Sequence, residues 1–215
     1  MISDVRDAIY KYKIIAIVRG VDASKCLNVA RALYDGGIRL LEITYNQSDP
    51  SSFSIAADSV AALYEEFKGR MFIGSGTVTK PELVDLTAKA GGTFIVAPNT
   101  NVDVIHRAHD LGLVSIPGAM TPTEILYAYD NGADFVKLFP TTELGLPYLK
   151  AIRAPLSHVP LIVTSSITVE NAKSYLDAGA VGLGVGGALA NKKAIANEDY
   201  HALTIAAQEL IASIS

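Results

Sequence analysis

Three side chains in this sequence could do chemistry together, and each belongs to a short apolar run. Lys137 lies in Ala133-Asp134-Phe135-Val136-Lys137-Leu138-Phe139-Pro140, Glu42 lies in Leu40-Leu41-Glu42-Ile43-Thr44, and Arg19 follows Ile14-Ile15-Ala16-Ile17-Val18. Among Phe135, Val136, Leu138 and Phe139 a lysine is disfavoured as the cation, so burial lowers its pKa and leaves the free amine. A free amine attacks a carbonyl carbon and forms a Schiff base. A carboxyl group beside it moves protons, and an arginine grips a carboxylate through paired N–H groups. The trio suits a substrate with a carbonyl next to a carboxylate. Two plainer readings stand beside this one. Lys137 ends its strand and reaches water along its stem, or the three charges form a structural salt bridge.

The elements that must position these groups alternate from end to end. Strand-like runs fall at 14–18, 40–44, 71–74, 93–97, 113–116, 135–139, 161–164 and 181–185. Helical patterns lie between them at 23–35, 52–67, 81–90, 102–111, 122–131, 147–154 and 169–178, with a last one at 199–213. Alternation of this kind implies parallel strands with crossover helices. Asp35-Gly36-Gly37, Ala90-Gly91-Gly92, Asn131-Gly132-Ala133 and Ala178-Gly179-Ala180 each put glycine between a helix and the next strand, where a left-handed residue ends a helix well. Pro81, Pro122 and Pro147 suit first turns, and Thr168 reads as an N-cap with Asn171 three residues on. The expectation is an α/β chain, a single (β/α)8 TIM barrel over residues 1–215 with an N-terminal helix. An open doubly wound sheet would want a glycine-rich fingerprint after the first strand, where only Arg19-Gly20 is found.

Composition narrows the partners. A net charge of −4 gives no basic footprint, so nucleic acid is not expected. The single cysteine, Cys26, allows no internal disulfide and reads as a small core residue. No apolar run approaches the ~18 residues of a membrane span, and the first residues do not read as a signal peptide, so no membrane is expected and the protein reads as cytoplasmic. A mean hydropathy of +0.30 fits a barrel core plus some buried subunit surface.

In a barrel of this type the working face is the one where strands end. Arg19, Glu42 and Thr44, Gly74-Ser75-Gly76-Thr77, Pro98-Asn99, Pro117-Gly118, Lys137, Thr164-Ser165-Ser166 and Gly184-Val185-Gly186-Gly187 are therefore brought to one end. The second and sixth runs face each other across the axis, which lets Glu42 and Lys137 meet over a small molecule. The last two strand exits commonly hold phosphate in such barrels. Gly184, Gly186 and Gly187 would offer backbone N–H groups, and Ser165 and Ser166 hydroxyls and amides. A plain tight turn explains those glycines equally well. His106 and His109 stand i,i+3 on one helix and read as solvated surface; no metal and no cofactor is called for.

At these residues the chain resembles the class I aldolases that act on 2-keto-3-deoxy-6-phosphogluconate and 2-keto-4-hydroxyglutarate. The matching segments are Ile15-Ala16-Ile17-Val18-Arg19-Gly20, Leu41-Glu42-Ile43-Thr44, Gly74-Ser75-Gly76-Thr77-Val78, Ala97-Pro98-Asn99, Ile116-Pro117-Gly118 and Val136-Lys137-Leu138-Phe139-Pro140. The resemblance implies a homotrimeric barrel, Lys137 as the Schiff-base lysine, Glu42 as general acid/base, and Thr77, Pro98 and Phe139 around a pyruvate pocket. Arg19-Gly20 and Tyr45-Asn46 look closer to the 6-phosphogalactonate type. The 6-phosphogluconate type usually carries a carboxylate-binding arginine where Asn46 stands, and Arg19 is expected to take over that role. The family usually has two glycines where Ser165 and Ser166 stand, and often a serine where Gly187 stands.

The expected reaction is cleavage of a 2-keto-3-deoxy sugar acid, 6-phosphorylated, to pyruvate and an aldehyde such as glyceraldehyde 3-phosphate. In it Lys137 attacks the C2 ketone and Glu42, through a water, takes the C4 hydroxyl proton. Thr164, Ser165, Ser166, Gly186 and Gly187 would bind the far end of the substrate. The alternatives are a 2-keto-4-hydroxyglutarate aldolase working on an unphosphorylated substrate, a phosphosugar isomerase or epimerase using Glu42 as base, and a sugar-acid-binding barrel without turnover.

Overall fold

Strands whose side chains are apolar on both sides must be covered on both sides. The computed structural model, which describes residues 2–141 and 144–215, meets this need with a ring of parallel strands wrapped in helices. The order is α1 (Ile2–Tyr12), β1 (Ile14–Val18), α2 (Ala23–Asp35), β2 (Leu40–Thr44), α3 (Phe53–Phe67), β3 (Phe72–Gly76), α4 (Pro81–Lys89), β4 (Phe94–Val96), α5 (Val102–Asp110), β5 (Val114–Ile116) and β6 (Gly118–Ala119). It continues with α6 (Pro122–Asp130), β7 (Val136–Leu138), α7 (Gly145–Arg153), β8 (Leu161–Thr164), α8 (Ala172–Asp177), β9 (Gly182–Val185), α9 (Lys192–Ala196) and α10 (Tyr200–Ser213).

Neighbours in the sheet run β5-β4-β3-β2-β1-β9-β8-β7-β6. β5 and β6 are one barrel strand broken at Pro117, a residue with no N–H to give the ladder. Across the break Asp134 and Phe135 donate their N–H groups to Ser115 O at 3.2 and 3.3 Å, and Lys137 donates to Pro117 O at 2.8 Å. These bonds close the ring. The barrel therefore has eight strand positions as expected, with the fifth reaching to Ala119, beyond the 113–116 run.

Two shells of apolar side chains hold it. Inside the ring, Ile15, Leu40, Phe94, Val96, Val114, Ile116, Phe135 and Ile162 pack on one another. Val5, Ala8 and Ile9 of α1 join this cluster and plug the end where strands begin. Outward-facing residues such as Ala16, Leu41, Val136, Leu161 and Leu183 pack against the helices in the larger shell. Truncating an interior residue such as Phe135 to alanine leaves a cavity worth about 3–5 kcal/mol.

The helix ends follow their sequence signals, with one exception. Thr121 caps α6 in a reciprocal box with Glu124, and Gly179 ends α8 at φ 101°. Thr168 does not cap α8: the helix starts at Ala172 with Asn171 as its N-cap residue, and the Asn171 side chain reaches back to accept the Thr168 N–H at 2.9 Å. The expected helix over 169–178 is shortened by that turn. A 3-10 turn at Pro50–Ser52 and the five-residue α9 had no apolar period long enough to mark them.

Candidate active site

The pleat puts alternate residues of each strand into the ring. On β2, Glu42 pairs in register with Ile17 of β1 and Gly74 of β3. On β7, Lys137 is flanked by Gly118 of β6 and Ile162 of β8. Four strand positions separate β2 from β7 in either direction, so the two side chains stand on opposite walls. Both are buried, at 2 % and 6 % exposure, and both line a small internal space with Ile15, Ile17, Val96, Ile116 and Ile162.

Burial sets their charge states. Desolvation pushes the Glu42 carboxyl above the usual carboxylate range, against the pull of the Lys137 and Arg19 charges. Desolvation pushes the Lys137 amine down; the Glu42 charge opposes this and the Arg19 charge assists it. The Lys137 Nζ also lies 4.6 Å from the centre of the Phe139 ring. A lysine held this way spends more time as the nucleophilic amine than an exposed one does.

Above this pair the barrel mouth opens into a cavity of about 900 Å³. Its inner end is Lys137, Phe139, Arg19 and Thr164; its outer end is Ser165, Ser166, Gly186 and Gly187, with Lys192 and Lys193 of α9 on the rim. Ser165 and Ser166 adopt φ values of 109° and 52°, which are conformations suited to glycine. The chain thus keeps a glycine-type turn while carrying hydroxyls. Thr164 is anchored from below, where Thr141 Oγ1 donates to its carbonyl at 2.8 Å.

Arg19 is exposed and spans the mouth from β1 to the exit of β3, where its Nη2 donates to Thr77 Oγ1 at 3.4 Å. Thr77 itself has φ 60°, a costly state for a β-branched residue, of order 1–3 kcal/mol. The Gln47 amide holds it by donating to the Thr77 carbonyl at 2.7 Å. Arg19 and Thr77 also border a second cavity of about 570 Å³ that runs past Asn46 and Gln47 to Cys26. Asn46 Oδ1 is taken up by its own loop, accepting from the Ser48 N–H and hydroxyl at 3.2 and 2.7 Å.

The structure therefore gathers Arg19, Glu42, Lys137, Phe139, Thr164, Ser165, Ser166, Gly186 and Gly187 at one mouth, with Thr77 on its border. Pro98 is half-buried behind Gly118, where its carbonyl leaves no room for a side chain, and it does not line these cavities. Lys192 and Lys193 escaped the sequence analysis; their signal is a basic pair just after the last strand exit. His106 is exposed, whereas His109 Nε2 meets the buried Asp134 carboxylate at 3.3 Å, at the far end of the barrel. Among the described residues no three of histidine, cysteine, aspartate and glutamate gather as a metal site. Nor, among those residues, is any helix long and apolar enough to cross a membrane.

Known proteins resemble this chain in sequence and fold. The family model described as KDPG and KHG aldolase matches residues 5–206. The 2-dehydro-3-deoxy-6-phosphogalactonate aldolase of Escherichia coli (strain K12) is 36% identical over 177 residues, 82% of this chain and 83% of that protein. The 2-dehydro-3-deoxy-phosphogluconate aldolase of Treponema pallidum (strain Nichols) is 30% identical over 95% of each chain. A solved structure described as native KDPGal superimposes with a TM-score of 0.78 at 32% identity, covering 93% of this chain and 96% of that one. The KDPG aldolase of Legionella pneumophila, with pyruvate captured as a covalent carbinolamine intermediate, superimposes with a TM-score of 0.84 at 25% identity, covering 94% and 96%. With a matched family model over nearly its whole length and these aldolases as relatives, the chain belongs to the KDPG and KHG aldolase family and is a lyase.

Proposed function

We propose that this aldolase cleaves a 2-keto-3-deoxy-6-phospho sugar acid to pyruvate and glyceraldehyde 3-phosphate through a Schiff base on Lys137. The observation that carries this is the buried lysine opposite a buried glutamate at the barrel mouth. The Lys137 amine adds to the C2 ketone, and the carbinolamine loses water to give an iminium. Glu42, left as the carboxylate once it has given its proton to the departing water, accepts the C4 hydroxyl proton. The C3–C4 bond breaks, its electron pair flows into the iminium, and the aldehyde leaves. The enamine takes a proton at C3, water adds to C2, and pyruvate departs with Lys137 restored. Arg19 faces the pyruvate carboxylate, the part played elsewhere by an arginine at the position of Asn46.

The far end of the cavity supports a phosphorylated substrate. The glycine-type turn at Ser165-Ser166 and the exit at Gly186-Gly187 present backbone amides, and Lys192 and Lys193 add positive charge. The curated relatives named for phosphogalactonate and phosphogluconate aldolases point the same way. A homotrimer belongs to this reading, and light scattering measures it. The test is pyruvate release from the two C4 epimers of the substrate, with and without the 6-phosphate, and from 2-keto-4-hydroxyglutarate. Faster release from a phosphorylated epimer supports the proposal. Equal rates with and without phosphate reject the phosphate, and no release from any of them rejects the aldolase reading.

A further inference from the structure

Gly76 ends β3 with a backbone that is not left-handed, so no turn calls for glycine there. What excludes a side chain is the neighbouring strand. A Cβ at Gly76 would lie 2.4 Å from Glu42 Oε1 and 2.9 Å from Glu42 Cδ, with the Thr44 methyl also at 2.9 Å. Not every glycine of the ring is of this kind. At Gly74 a Cβ would strike the Phe94 carbonyl and ring, which is a matter of core packing.

We infer that Gly76 is a positioning residue: the absent side chain is the slot in which the Glu42 carboxylate lies, on the wall opposite Lys137. The wall repeats the device once more, because a Cβ at Gly184 would come within 2.5 Å of the Thr164 hydroxyl. Glu42 is buried, and neither Lys137 nor Arg19 is a hydrogen-bond partner to hold it; both act on it only as charges. Shape fixes the carboxylate where hydrogen bonds do not. A methyl group at Gly76 must push it off that position, and proton transfer falls steeply when donor and acceptor leave hydrogen-bond reach. This inference rests on Glu42 being the group that moves the C4 hydroxyl proton.

The test compares Gly76→Ala, Glu42→Asp, Glu42→Gln, the double variant Gly76→Ala/Glu42→Asp and the double variant Gly76→Ala/Thr44→Ser. Gly76→Ala is expected to lower kcat about 100-fold while KM changes little, the range set by loss of a positioned acid/base. Borohydride with pyruvate still adds mass to Lys137 in that variant, showing that the amine is intact. The shorter aspartate removes the collision, so Gly76→Ala added to Glu42→Asp lowers kcat by no more than about threefold further. Thr44→Ser, which removes only the methyl contact, gives no recovery. An equal loss in both backgrounds, or recovery by Thr44→Ser, overturns the inference and leaves Glu42 in its role. If Gly76→Ala does not fold, the same comparison is made on folded yield: recovery by Glu42→Asp alone supports the slot, and any other pattern overturns it. Full turnover by Glu42→Gln overturns the role of Glu42, and the slot with it.

Discussion

Glu42 and Lys137 face each other across the barrel, each buried, and each feels the other as a charge and not as a hydrogen-bond partner. A contact ion pair would hold both in their charged forms. Separation leaves desolvation as the larger influence on each, so the amine is biased toward its neutral form and the carboxyl toward its protonated one. Readiness of the nucleophile comes from this spacing.

Glu42→Gln removes a charge that raises the Lys137 pKa, so the amine should shift further down. Trapping of pyruvate by borohydride will then persist to lower pH than in the native protein, while cleavage falls by about 10²–10⁴. A trapping profile shifted to higher pH would contradict the coupling.

Arg19 acts in the opposite sense on the lysine and in the same sense as Lys137 on the carboxyl. Arg19→Ala should raise the Lys137 pKa and raise that of Glu42 further. Pyruvate affinity should fall as well, by roughly tenfold or more for loss of a charge-assisted contact. Unchanged affinity in a trapping titration would remove Arg19 from the carboxylate site.

Ser165 sits at φ 109°, where a side chain is strained by about 1 kcal/mol or more. Ser165→Gly should therefore raise Tm by about 2–4 °C for a domain of this size. A lowered Tm would mean that the hydroxyl holds the turn more strongly than the backbone resists it.

Asp134 lies at the end of the barrel away from the mouth. Its buried carboxylate accepts the Ser115 N–H at 2.9 Å and meets Arg6 of α1 at 3.6 Å and His109 of α5 at 3.3 Å. Asp134→Ala leaves a buried N–H unpaired and unties two helices, so about 2–3 kcal/mol of stability should go. Turnover of the folded fraction should stay within about twofold, because that face carries structure and not chemistry. Denaturant unfolding and kcat together check this.

Much of this is legible in the sequence, for physical reasons. Runs of apolar residues too short for helices, separated by glycine exits such as Gly132 and Gly179, admit little besides a parallel α/β barrel. Once the strands are ordered, Glu42 and Lys137 must face each other. The rest depends on geometry that residue types do not encode. Pro117 could end a strand or interrupt one, and only the bonds from Asp134 and Lys137 show that the strand resumes at Gly118. Thr168 and Asn171 both suit an N-cap, and the choice rests on which side chain folds back. Lys192 and Lys193 lie on a helix too short to show a period. Serine does not announce a left-handed turn, and the one at Ser165-Ser166 is visible only in the backbone angles.

The imine on Lys137 is the claim on which the rest depends. Incubation with pyruvate followed by borohydride, then digestion and mass spectrometry, should find the reduced pyruvyl adduct on the peptide carrying Lys137, and Lys137→Arg should abolish it. Intact protein without the adduct, or the adduct on another lysine, would contradict the account.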